Sequence, residues 1–404
     1  MRKIDASDFR VATSETARDI NQRIVLNLIR KHQPVSRADL SRHSGLQRST
    51  VSAITGELIS ERWVAEGAVS DLPRGRKPVF LHLNSQRVGI FGINVRPYVT
   101  NLALANLDSR FLVQETMPTP STPREFIEKI SQRIRELMKL HPEMVYEGVG
   151  VSLPGRVDSA SQRFIFAPNL GWEREDLKAQ LETATGLAVE LENEANACAL
   201  SEFWFGHHGD DVRNLIAVAV SEGIGVGMVL NGRLARGTSG LAGEFGHVSI
   251  VENGPRCVCG NHGCWEVYAS NTAALRFYNE KNAVPGRKGL PVRHAAAMTD
   301  FDELVKLAEL GHPKAVEAID QMAHHLGAGI AMLVTGLAPD LIVVVGEVTR
   351  VWERIGPMIH NIIRQRSFTH ATTQVIASGP APLPRLRGII ALVLQKRFGA
   401  PMTA

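Results

Sequence analysis

Residues 242–266 read AGEFGHVSIVENGPRCVCGNHGCWE. Three of the four cysteines in the chain, Cys257, Cys259 and Cys264, fall here together with His247 and three carboxylates. A structural zinc takes four nitrogen or sulfur ligands in a closed tetrahedron, so one His and three Cys fill it with none left over. Gly254, Gly260 and Gly263 let the backbone turn tightly enough for three thiolates to converge. His247, Cys257, Cys259 and Cys264 are therefore expected to hold a structural zinc. Three free cysteines in a loop is the alternative; a disulfide is disfavoured, because nothing in the sequence points to an oxidising compartment. The stretch carries a second signal. Glu244, His247 and Glu266 stand at the two ends of the loop. A sugar ring presents neighbouring hydroxyls, and carboxylates accept such pairs well. The loop is expected to aim these acceptors at a polyol, with ordinary surface charge as the alternative.

At 404 residues the chain has room for two or three domains with their own cores. Hydrophobic residues make up 44% and charged ones 21%, the balance of an ordinary globular protein. The segment MRKIDASDFRVATSE has no apolar core of signal-peptide length. No apolar run reaches the roughly 18 residues of a membrane span. With three of four cysteines on a metal, the cytoplasm is the expected compartment and no membrane partner is expected. The net charge of +4 is uneven. Residues 1–84 hold 14 Lys/Arg against 9 Asp/Glu, and the remainder 31 against 32, so the basic excess sits wholly in the head. That asymmetry suits a nucleic-acid-binding module joined to a neutral body.

In the head, 14–31 has apolar residues at helical spacing, Ile20, Ile24 and Leu28 with Val25 and Ile29, and Pro34 ends it. Ser36-Arg-Ala-Asp39 has the form of an N-cap with an acid three residues later, opening a short helix to about 43. Ser44-Gly45-Leu46 is a tight turn, and a further helix spans about 47–60 with Val51, Ile54 and Leu58 on one face. This is a helix-turn-helix. The second helix of such a unit enters the major groove by its N-terminal residues, here Gln47, Arg48, Ser49, Thr50 and Ser52. A dimerising helical hairpin is the alternative. Short strands at 63–65 and 79–83 then flank SDLPRGRKP, residues 70–78. They form a wing whose tip, Arg74, Arg76 and Lys77, suits a narrow minor groove. A solvated linker is the other reading of that tip.

Beyond residue 87, strands are expected at 88–95, 99–107, 111–116 and 148–153, with an amphipathic helix at 124–140. A further apolar strand lies at 214–220, followed by Gly223-Ile-Gly225-Val-Gly227. Helices follow at about 266–280, 302–308 and 313–337, then a buried strand at 339–345 and a closing helix at 382–397. Cys198 falls on a helix opened by Leu191-Glu-Asn193-Glu194-Ala-Asn196 and reads as a buried apolar residue.

Gly243-Glu244-x-Gly246-His247 followed by Cys257-x-Cys259-Gly260-x-x-Gly263-Cys264-x-Glu266 resembles the signature of the ROK family (repressors, open reading frames, kinases). The likeness covers residues 87–404. It implies an α/β fold in which the winged helix-turn-helix of 1–84 precedes a two-lobed, actin-like or hexokinase-like body. The first lobe would be 87–206 joined by the C-terminal helix of 382–404, and the second 207–381 with its zinc loop at 246–266. Family members are sugar kinases, or sugar-responsive repressors that carry such a head. By the same resemblance Ser152-Leu-Pro-Gly155 is the turn beside the sugar, Asn169 a sugar ligand, and His247 a residue that also touches the sugar.

The chain departs from the family's kinases at several points. Their first hairpin has an Asp-x-Gly-Gly-Thr-like phosphate loop; here Asn94-Val95-Arg96-Pro97-Tyr98 offers no glycine pair and a proline without an amide hydrogen. Their general base is an Asp in Asn-Asp-Ala-Asn; here the position is Glu194, one methylene longer. Gly346-Glu347 stands where they show two glycines. The 223–227 glycines resemble their second phosphate loop, with a plain glycine-rich hairpin as the alternative. The resemblance therefore implies a sugar-responsive repressor of carbohydrate-utilisation genes and not an enzyme. Sugar would bind in the cleft between lobes through Asn169, Asn193, Glu194, Glu244, His247 and Glu266 and release operator DNA from a homodimer or homotetramer. An ATP-dependent sugar kinase is the rival.

Overall fold

A computed structural model describes residues 14–69, 79–158, 163–167, 170–172, 176–209, 211–282, 298–367, 372–379 and 383–398. Contacts divide the chain into two compact units. One holds 1–151, 171–190 and 390–404; the other holds 152–170 and 191–389.

The first unit begins with the helix-turn-helix. Helix α1 (Ser14–His32) leads to a two-residue strand β1 (Val35–Ser36), then α2 (Arg37–Ser44), α3 (Arg48–Ser60), β2 (Val64–Val69) and β3 (Val79–Leu83). The strands form a sheet in the order β1-β3-β2. The expected capping box is present: Asp39 N donates to Ser36 Oγ at 3.2 Å and Ser36 N to Asp39 Oδ2 at 3.3 Å. Hydrogen bonds from Ser36 and the neighbouring Arg42 outweigh burial and hold the Asp39 carboxyl below its usual range. Helix α2 stops at Gly45, whose φ of 72° lies in the left-handed region that glycine enters without strain. The head's core is Val25, Leu26, Ile29, Leu40, Val51, Ile54, Leu58, Trp63, Leu81 and Leu83. Ile24 is 38% exposed, so the apolar stripe of α1 is broader than the face it buries.

The same unit continues with β4 (Val88–Val95), β5 (Val99–Ala105), β6 (Phe111–Pro118), α4 (Pro123–Leu140) and β7 (Val145–Leu153). Thr122 caps α4 through Oγ1, with Pro123 at its first turn. Phe126, Ile127, Ile130, Ile134 and Leu137 form the buried face of that helix. A small hairpin of β8 (Arg156–Asp158) and β9 (Arg163–Phe166) precedes α5 (Leu177–Thr185) and β10 (Val189–Asn193). The five-stranded sheet runs β10-β7-β4-β5-β6. All eight residues of β4 are buried, as an interior strand covered on both faces requires.

The second unit carries α6 (Glu194–Phe205), β11 (Leu215–Val220), β12 (Ile224–Leu230), β13 (Arg233–Leu234), α7 (Trp265–Ala269), α8 (Asn271–Asn282), α9 (Phe301–Glu309), α10 (Pro313–Leu337), β14 (Leu341–Gly346), α11 (Trp352–Arg366) and β15 (Gln374–Ala377). Helix α12 (Pro384–Phe398) closes the order. Its sheet runs β13-β12-β11-β14-β15, antiparallel across β13-β12-β11 and parallel across β11-β14-β15. The single helix expected over 266–280 is broken in two. Ser270 is extended, with ψ 169°, and its Oγ accepts from Ala273 N at 3.2 Å, so it ends α7 and caps α8. Buried Trp265 donates Nε1 to His325 O on α10 at 2.9 Å, and the absence of a side chain at Gly329 admits its ring. That anchor fixes the residue beside it, Glu266.

Candidate functional site

The recognition end of the head comes first. Gln47 is the N-cap residue of α3, and its side chain makes no capping bond. Gln47, Arg48, Ser49 and Ser52 are exposed and Thr50 half-buried, while Val51, Ile54, Thr55 and Leu58 turn inward. The polar first turn of α3 thus faces outward on a helix fixed by its apolar face. Arg37 braces it from α2, donating Nε to Thr55 Oγ1 at 3.0 Å and pairing with Glu66 on β2 at 2.8 Å. Arg74, Arg76 and Lys77 lie outside the described residues.

In the second unit, His247, Cys257, Cys259 and Cys264 offer ligand atoms that all lie within 4.8 Å of one another. Ser249 bridges Cys264 and Arg256 bridges His262, folding the loop back on itself. Gly260 and Gly263, at φ 94° and 69°, make its turns, and a side chain at Gly263 would strike the Val251 carbonyl. Cys259 and Cys264 sulfurs are 3.7 Å apart, and Cys257 Sγ is 3.6 Å from His247 Nδ1. Thiolates bound at about 2.3 Å to one tetrahedral ion stand about 3.8 Å apart, and a thiolate and an imidazole nitrogen about 3.5 Å. The donor set and its spacing fit a tetrahedral metal ion. Burial, then the bond to Glu266, pushes the Cys257 thiol up, and burial raises Cys264 as well. At Cys259 burial is outweighed by the Asn261 amide and the neighbouring thiols, and its pKa falls. Metal capture therefore has to displace protons from the two raised thiols.

The acceptor set shares this loop. His247 lies between two carboxylates, with Nε2 3.8 Å from Glu244 Oε2 and Nδ1 3.3 Å from Glu266 Oε1. Cys257 Sγ donates to Glu266 Oε1 at 2.9 Å. The Glu266 side chain is 15% exposed and that of Glu244 51%. A ligand would meet Glu244 first and Glu266 at depth.

Asn193 and Glu194 sit at the start of α6. Asn193 caps the helix by accepting from Ala195 N at 2.8 Å and donates Nδ2 to Gly155 O at 2.5 Å, joining it to the Pro154-Gly155 turn. Glu194 Oε2 lies 3.1 Å from Arg385 Nε. The Arg385 side chain is 12% exposed; desolvation opposes its charge, but the carboxylates around it, Glu194 first, hold its pKa above the ordinary value. No hydrogen bond or ion pair among the described residues joins Asn193 or Glu194 to Glu244, His247 or Glu266. The two groups share β12 and the turn that leads into it instead. A side chain at Gly223 would come 2.6 Å from Glu266 Oε2, one at Gly225 would come 2.8 Å from Ala195 Cβ, and one at Gly227 would strike the Ala195 carbonyl. The alternating glycines thus let α6 and the Glu266 carboxylate lie directly against this stretch. Asn169 lies outside the described residues.

At the first hairpin, Asn94 is buried with Oδ1 unpartnered, Arg96 N bonds Val99 O across a tight turn, and Tyr98 is exposed. At the end of β14, Gly346 has φ 120°, and Glu347 Oε2 accepts from Asn271 Nδ2 at 3.1 Å. Burial pushes Cys198 up to about 12, which makes it an inert thiol. Sequence reasoning passed over Arg385, Glu192 and Arg236; each meets a partner more than 40 positions away, and no local pattern marks them.

Comparison with known proteins bears on both halves. A family model described as ROK family matches residues 91–396, and one described as winged helix-turn-helix DNA-binding matches 18–65. The xylose repressor of Bacillus subtilis (strain 168) is 31% identical over 368 residues, covering 90% of this chain and 91% of that protein. A crystal structure of a ROK family transcriptional regulator, a homolog of the E. coli MLC protein, superposes with a TM-score of 0.82 at 27% identity, covering 96% of this chain and 98% of the other. The ROK family glucokinase of Streptomyces griseus, in complex with glucose and AMPPNP, gives 0.64 at 28% identity, over 76% of this chain and 99% of that one.

Proposed function

Because this chain belongs to the ROK family, we propose that it is a sugar-responsive transcriptional repressor, with operator DNA and a small sugar as its two ligands. The observation that carries this reading is the pairing, in one chain, of an outward-facing recognition turn on α3 with the acceptors Glu244, His247 and Glu266 around a built loop. The family resemblance to xylose repressors along nine-tenths of the chain supports it.

Glu244, His247, Glu266, Asn193 and Glu194 bind the sugar, with Asn169 completing the set. Gln47, Arg48, Ser49, Thr50 and Ser52 contact the major groove, and Arg74, Arg76 and Lys77 the minor. Zinc is the ion of the His-Cys₃ cluster. Soft thiolates and an imidazole at tetrahedral spacing favour it over the oxygen-seeking cations. Its role is to hold His247 and Glu266 in place, since four protein ligands leave no open position for chemistry. The protein works in the cytoplasm as a homodimer or homotetramer, so that two heads address two half-sites about one helical turn or a multiple apart. Sugar shifts the heads only by its differential affinity for the two states.

The test is fluorescence anisotropy of the protein on its own upstream DNA, titrated with a panel of sugars without ATP. Release by one sugar is the expected result; tight, specific binding that none alters sinks the sugar-sensing reading. The kinase reading is favoured by the likeness to a glucokinase structure. Against it stand the Arg385 partner of Glu194 and the Asn94–Tyr98 turn.

A further inference from the structure

The loop that delivers Glu244 lies against β12 but forms no strand of its own. It leaves β13 at Leu234 and passes through Gly237, Ser239, Gly240 and Gly243, all at positive φ. Its internal bonds are few: Ala242 N to Arg236 O at 2.9 Å and Leu241 N to Thr238 O at 3.2 Å. Its position therefore depends on what grips it from outside. Two contacts do so. Arg156 donates Nε to Ser239 O at 3.2 Å, and Arg236 donates Nε to Glu192 Oε2 at 2.8 Å.

Glu192 is the more informative partner. It is 3% exposed, a place where a carboxylate persists only if paired and hydrogen-bonded. Oε1 accepts from Asn193 N at 3.0 Å and from Asn196 Nδ2 at 2.9 Å, while Oε2 takes Arg236. Asn193 in turn donates to Gly155 O. One buried carboxylate thus ties together the start of α6, where Glu194 stands, the Pro154-Gly155 turn, and the loop leading to Glu244. Burying one partner of an ion pair offsets much of its Coulombic gain, so the pair's use here points to geometry.

We infer that Glu192 and Arg236 are positioning residues that set the spacing between Glu194 and Glu244, and through it the response to sugar and the choice among sugars. The inference rests on the sugar-sensing reading above. The probe is the full chain on labelled operator DNA, titrated with D-xylose, D-glucose and N-acetyl-D-glucosamine.

Glu192→Gln and Arg236→Met are expected to raise the half-release concentration about tenfold or more, the scale of losing a charged hydrogen bond. They should also change the ratio among sugars and leave operator affinity without sugar within about twofold. Arg236→Lys keeps the charge at a half-exposed position and should recover most of the response. The double variant, Glu192→Gln with Arg236→Met, should be no worse than the poorer single, because the pair acts as a unit. Half-release concentrations equal to wild type, or additive losses in the double variant, overturn the inference. A wild type that binds operator but answers none of the three sugars overturns the sensing reading, and this inference with it.

Discussion

Glu194 Oε2 lies 3.1 Å from Arg385 Nε, and that single distance bears on what the site can do. A general base has to reach its proton at about 2.6–3.2 Å with a free lone pair. One oxygen of Glu194 already faces the Arg385 guanidinium at that range, whose charge holds the carboxylate away from a base's role. We predict that the protein with ATP, magnesium and glucose or xylose forms no sugar phosphate in a coupled assay. Glu194→Asp alone should not create activity, because the Asn94-Val95-Arg96-Pro97 turn supplies no phosphate cradle. Measurable turnover by wild type would restore the kinase reading. At the cluster, Cys259→Ser should lower bound zinc from about one ion per chain to well below that by elemental analysis, since a closed structural site needs all four ligands. Sugar response should fall with it, because the loop no longer holds His247 and Glu266, while operator binding through the head should survive. Loss of both together would assign the metal a global folding role.

Among elements, α2 and α3 test how local sequence sets the reading head. Ser36→Ala removes the cap that accepts from Asp39 N and should cost about 1 kcal/mol of stability in a denaturant melt. Asp39 gives the pH dependence. Its folded pKa is depressed, so its contribution is fully present above the unfolded value of about 3.9 and is lost as pH falls through the lower folded value. The gap between wild type and Asp39→Asn should therefore be constant near neutrality and close below about pH 4. In the wing, Arg74→Ala with Arg76→Ala should flatten the salt dependence of operator binding by nearly two charges; an unchanged slope would remove the tip from the interface. These elements were legible because their signals are local: a capping box, a glycine turn, a 3.6-residue apolar repeat. What was not legible depends on distant partners. Strand β1 is two residues long and exists only because Val35 and Ser36 pair with Leu81 and Phe80. The break at Ser270 ends a helix that periodicity alone continues. Likewise nothing in the sequence around Gly225 and Gly227 marks Ala195, against which their missing side chains let α6 pack.

For the chain as a whole, the first and last described helices meet. Asn27 on α1 donates Nδ2 to Phe398 O at 2.8 Å, and the Phe398 ring meets Trp63 edge-on with centroids 5.9 Å apart. Arg397 lies over the Trp63 ring and pairs with Glu147 at 2.9 Å, while Lys396 pairs with Glu190 at 2.5 Å. Phe398→Ala should cost about 3 kcal/mol, the scale of deleting a buried aromatic, and should raise amide exchange in α1 and around Trp63 before it affects β4. Uniform exchange would mean that the head does not lean on this turn. No pattern in residues 14–69 forecast this partner, since it lies more than 300 positions away. The same contact orders events on the ribosome. The head emerges early, but the turn that completes its packing emerges after roughly 330 further residues, some 20–60 s later at about 5–20 residues per second. Nascent chains therefore carry a head without its brace, and any chain interrupted before Phe398 keeps it that way.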